Sequence, residues 1–80
     1  MKKKYPRSAQ DRAKLLEALR QYPVTSYHAR TDLDIYHPNA RILELRRQGF
    51  NIFTHWETIH NGKTKHRVGK WVLLSGGNNG

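Results

Sequence analysis

Apolar positions in the first half of the chain recur at helical spacing, and those of the second half alternate. Leu15, Leu16, Leu19 and Tyr22 follow the helical period, Ser8 can cap, and Asp11 sits at the capping-box position. A first helix is therefore predicted over 9–21, stopped by Pro23. Val24-Thr25 opens a short second helix, with Thr25 as N-cap and Val24 placed to staple against Ala29. Ala29 and Leu33, one turn apart, face inward. The stretch Asp34-Ile35-Tyr36-His37 reads as a turn from which Ile35 reaches the core. Pro38 then occupies a first helical position, where its missing N–H costs nothing, and a third helix runs over 38–48 to a stop at Gly49.

At about 100° per residue, Pro38, Ile42, Leu45 and Gly49 share one side of the third helix. Ala40, Glu44 and Arg47 lie opposite, with Asn39 and Arg46 on one flank and Arg41 and Gln48 on the other. Leu43 falls outside the apolar stripe, so either the stripe is wide or Leu43 touches a partner.

From Asn51 the period becomes two: Ile52, Thr54 and Trp56 alternate with Phe53, His55 and Glu57, the pattern of a strand. Asn61-Gly62 is a strong hairpin signal for a type I′ turn, which needs positive φ at both central residues. Folding about that pair sets His60 opposite Lys63, Trp56 opposite Arg67 and Ile52 opposite Trp71. One face then carries Ile52, Thr54, Trp56, Gly69, Trp71 and Leu73, so Trp56 and Trp71 are expected in the core and Phe53 on the opposite face. The polar, basic end from Asn61 to Arg67 should project from the body.

Composition adds the electrostatic half. Fifteen Lys and Arg against six Asp and Glu give a net charge of +9 over 80 residues, a strong positive field that calls for a polyanionic partner. The length suits one small domain, expected over 8–74, between a mobile basic arm at 1–7 and a flexible Gly/Asn-rich tail at 75–80. With no cysteine, neither a disulfide nor a thiolate zinc site can brace the fold. No apolar run is long enough for a membrane span and no signal-like segment follows Met1-Lys2-Lys3-Lys4, so a cytoplasmic protein is expected.

Three basic clusters flank one insertable helix. The third helix offers Asn39, Arg41, Arg46, Arg47 and Gln48, side chains whose forks match guanine and adenine edges in the major groove. Arg41 has a second reading, as a buttress paired with Glu44 or Asp34. The hairpin end offers Lys63, Lys65, His66 and Arg67, and the arm offers Lys2, Lys3, Lys4 and Arg7, both suited to phosphates. This layout fits duplex DNA better than a single-strand groove. Single-stranded DNA or RNA would be favoured only if Phe53 and Tyr5 stood exposed for stacking.

Five histidines without cysteine or a tight helical His pair make a weak case for zinc, so no metal or other cofactor is expected. No nucleophile motif or phosphate loop is present, and six scattered carboxylates do not compose an acid–base pair, so no enzyme activity is expected. A rival class is a protein-binding module that docks an acidic host protein through Leu43 or Phe53. With no long terminal helix to build a dimer, a monomer is favoured.

Val24-Thr25, Ala29, the run from Ala40 to Ile52 and the closing Lys70-Trp71-Val72-Leu73 resemble the small helix-turn-helix domains of the winged-helix superfamily found in bacteriophage and prophage proteins. The likeness spans about 11–74 and is most specific at Arg41 to Gly49. It implies an α+β, MarR-like winged helix-turn-helix: three helices followed by a two-stranded β-hairpin wing, with a DNA-binding helix at 38–48 and a wing at 57–67. Asp32-Leu33-Asp34-Ile35 departs from the small residue that the family commonly places in the turn.

Overall fold

The computed structural model describes residues 7–74 and is α+β, with the order α1 (Arg7–Leu19), β1 (Val24–Thr25), α2 (Ser26–Thr31), α3 (Pro38–Arg47), β2 (Ile52–Asn61) and β3 (Thr64–Leu73). The core is one apolar cluster drawn from every layer: Leu15, Ala18 and Leu19 of α1, Val24, Ala29, Ile35, Ile42 and Leu45, and Ile52 and Trp71 of the sheet. These are the inward positions of the helical and alternating patterns, and their removal from water drives the packing.

α1 begins at Arg7, inside the stretch expected as an arm, and ends at Leu19, leaving Tyr22 outside the helix and partly exposed. Asp11 is not a cap. It is 1% exposed, and its carboxylate accepts hydrogen bonds from Arg7 Nε (3.1 and 3.2 Å) and from the backbone N–H of Tyr36 (3.2 Å). Lys14 Nζ donates to Leu33 O at 2.9 Å, so the polar side of α1 grips the segment that joins α2 to α3. α2 starts as expected, with Thr25 Oγ1 accepting from His28 N at 3.0 Å. The connection to α3 turns sharply at Asp34, whose φ is +56°, a left-handed conformation that Asp tolerates better than most residues.

α3 ends in a Schellman motif: Phe50 N donates to Leu45 O (3.1 Å) and Gly49 N to Arg46 O (3.0 Å), with Gly49 at φ +106°. The chain therefore leaves the helix already turned toward β2.

The sheet differs from expectation in three respects. It has three antiparallel strands in the order β1-β3-β2, because Val24 pairs with Trp71 and Thr25 with Lys70. A two-residue strand is too short to show alternation, and Thr25 also serves as the cap of α2. Second, the hairpin turns on Gly62-Lys63 rather than Asn61-Gly62. Asn61 pairs with Thr64, and of the two turn residues only Gly62 has positive φ (+64°), the pattern of a type II′ turn. Thr64 Oγ1 donates to Asn61 O at 3.0 Å across the turn. Each expected partner consequently shifts by two: Ile52 faces Leu73, Thr54 faces Trp71 and Trp56 faces Gly69. Because the shift is even, the faces survive, and Ile52, Thr54, Trp56, Gly69, Trp71 and Leu73 do share one side. Third, Trp56 is 55% exposed rather than in the core, whereas Trp71 is buried. The hairpin projects beyond the helices, so its inner face has no cover past Thr54.

Candidate nucleic-acid interface

Three of the charged side chains on α3 act inside the molecule. Arg41, whose side chain is 12% exposed, holds Glu44 through two bonds: Nε to Oε1 at 2.9 Å and Nη2 to Oε2 at 2.8 Å. Arg12 of α1 reaches the same Oε1 at 2.8 Å. Hydrogen bonds from Arg41 and then Arg12 hold the Glu44 carboxyl below its ordinary value. Arg41 thus pairs with Glu44, as its second reading has it, and Arg12 joins that pair to α1. On the other flank, Arg46 Nε donates to Ile52 O and its Nη2 to Thr54 Oγ1, each at 3.0 Å, tying α3 to β2. Arg46 still stands at the surface, but its head is committed to the sheet.

Asn39, Leu43, Arg47 and Gln48 remain. All four are exposed, and among the described residues no hydrogen bond or ion pair engages the Asn39, Arg47 or Gln48 side chains. Asn39, Leu43 and Arg47 follow one another at four-residue spacing and so form a row along the solvent side of α3. With Arg41–Glu44 pinned on one side and Arg46 drawn toward Thr54 on the other, this row is the part of the helix that protrudes unencumbered.

Strand alternation splits the basic cluster of the hairpin. Lys65 and Arg67 pair with His60 and Thr58, and lie on the same side as Trp56, Gly69 and Thr54, the side that carries α3. His66 pairs with Ile59 and faces away, its Nε2 3.3 Å from Thr64 Oγ1, while Lys63 occupies the turn. Arg67 places its guanidinium 4.7 Å from the centre of the Trp56 ring, a cation–π contact that steadies both side chains. A Cβ at position 69 would come within 3.1 Å of that ring, so Gly69 is what allows the indole to lie against the strand. Between hairpin and helices runs an open groove of about 490 Å³, lined among others by Tyr27, Asn39, Trp56 and Arg67.

Arg7 is the one expected arm cation within the described residues. It bonds Asp11 and also donates from Nη2 to Asp34 O at 2.6 Å, a fold contact at the start of α1. Lys2, Lys3 and Lys4, with Tyr5 and the tail at 75–80, lie outside the described residues. The outer sheet face carries exposed Phe53 and Ile59, and there Lys70 Nζ meets Glu57 at 3.2 Å. Among the described residues no group of three His, Asp or Glu side chains converges as a metal cage, and no helix is long and apolar enough to cross a membrane.

Two functional features escaped the sequence pattern. Asp11 was masked by its capping-box position, although its spacing of four from Arg7 is that of a helical ion pair. The exposure of Trp56 could not be read from alternation, which assigns a face but not how far the helices extend over it.

A family model described as a winged helix-turn-helix domain matches residues 10–76. Neither the curated proteins nor the solved structures compared with the chain include a match.

Proposed function

Since the chain belongs to the winged helix-turn-helix domain family, whose members as a class bind DNA, we propose that it is a non-enzymatic protein that binds double-stranded DNA by laying α3 in the major groove. The observation that carries this reading is the row Asn39, Leu43 and Arg47, exposed beside a basic hairpin face, with no hydrogen bond or ion pair to the Asn39 and Arg47 side chains among the described residues. Asn39 and Gln48 have the amide forks that match adenine, and Arg47 the fork that matches guanine. Lys65 and Arg67 extend along the inner side of the wing to meet phosphates of the strand that crosses between wing and helix, and Lys63 meets them from the tip. Lys2, Lys3 and Lys4 add sequence-independent attraction. The protein acts as a monomer in the cytoplasm, as a small regulator of phage or prophage type, in transcription or as an accessory to recombination.

Titration of a duplex at several salt concentrations tests this. Four to six neutralised phosphates give a slope of log affinity against log salt of roughly −4 to −5, at about −0.9 per contact. A flat response, or stronger binding to unpaired strands of the same sequence, rejects it.

A second reading rests on the outer sheet face, where Phe53 and Ile59 stand exposed on the side away from α3. A protein partner bound there after nuclease treatment, and lost in Phe53→Ser, would favour it.

A further inference from the structure

An isolated exposed leucine is ordinary on a protein surface. Leu43 is distinguished by its place. It is 47% exposed at the middle of α3, one turn from Asn39 and one turn from Arg47, in the row that the ion pairs of Arg41 and the hydrogen bonds of Arg46 leave uncovered. The buried stripe of this helix is complete without it, since Pro38, Ile42 and Leu45 supply the core contact. The helix therefore presents a half-exposed apolar tip between an amide at Asn39 and a guanidinium at Arg47.

In the major groove, base edges offer one apolar group to such a tip: the methyl on C5 of thymine. Cytosine carries a hydrogen at that position, and 5-methylcytosine carries the same methyl. We infer that Leu43 is a specificity-determining residue that packs against the 5-methyl group of a pyrimidine, so that binding depends on that methyl at one position of the site. The inference rests on the placement of α3 in the major groove and deepens that reading. It assigns the flanking polar residues to the neighbouring base pairs.

The test uses the full chain and the duplex it enriches from a random pool. Each thymine is replaced in turn by deoxyuridine, which keeps the base pair and removes only the methyl. The wild-type protein loses affinity about fourfold at one position, the effect of one methyl returned to water. The Leu43→Ala protein binds thymine and deoxyuridine duplexes alike. Leu43 lies outside the buried core, so this variant keeps its fold, and circular dichroism verifies that it does.

A cytosine or 5-methylcytosine paired with guanine at the responsive position separates the two sources. Recovery by 5-methylcytosine over cytosine shows a site that senses methylation; equal binding of the two shows one restricted to thymine. Neutral deoxyuridine at every position, or discrimination that persists in Leu43→Ala, overturns the inference while salt-dependent duplex binding stands. Absence of any duplex binding overturns both.

Discussion

Among individual residues, the arginines of α3 divide by what they touch, and that division is measurable. Arg41→Ala removes the two-bond hold on Glu44 and lowers the midpoint of urea unfolding, while the salt dependence of DNA binding keeps its slope. Arg47→Ala does the reverse: stability changes by less than about 0.5 kcal/mol, as for a surface substitution without partners. Affinity for the preferred duplex falls by about 1 to 3 kcal/mol if the residue reads a base. Composition made the two residues look alike; only packing separates them, because Arg41 points along the helix to an acid that α1 also reaches. Glu44 supplies a pH signature. Its folded carboxyl is held below the ordinary value of 4.5, so the stability it contributes is fully present above that value and disappears as pH falls through the lowered one. In Glu44→Gln this part of the acid sensitivity vanishes, so the difference in urea midpoint between neutral and acidic solution narrows relative to wild type.

At the level of elements, α2 and α3 were legible because local devices mark them: Thr25 as the cap of α2, Pro38 at the first position of α3 and Gly49 just past its end, whereas α1 starts and stops about two residues earlier than its apolar spacing suggests. The grip of α1 on the α2–α3 connection was not legible, since Asp11, Lys14 and Arg12 reach partners more than fifteen residues away. This grip holds the connection that leads into α3. Asp11→Ala leaves the Tyr36 N–H without its acceptor and Arg7 with Asp34 alone, and should cost about 1 to 3 kcal/mol in denaturant unfolding. Asp11→Asn, which keeps an acceptor oxygen, should cost less. The hairpin carries the converse lesson. Asn61-Gly62 announced a turn correctly, but which residue opens it depends on the twist and the closing Thr64 contact, and β1 became visible only as a partner of β3. Face assignment was robust because strand periodicity is insensitive to an even slip.

For the whole molecule, charge and shape act together. The body measures 53 × 35 × 19 Å, the long dimension reflecting a hairpin of two ten-residue strands that reaches past the core. The net charge was plain in the composition, but its distribution was not: alternation turns Lys65 and Arg67 toward the α3 side and His66 away from it. Replacing Lys65 and Arg67 together by Ala should weaken binding uniformly across duplex sequences and reduce the salt slope by about two. His66→Ala should leave the slope unchanged. In the proposed complex α3 and the inner wing lie against one duplex and the outer sheet face stays in water. An NMR titration of the labelled protein with its enriched duplex tests this most directly. The expected result is that the Leu43 methyls and the Asn39 and Arg47 side-chain signals shift while the Ile59 and Val72 methyls do not; shifts at Ile59 and Val72 with Leu43 unmoved would contradict it.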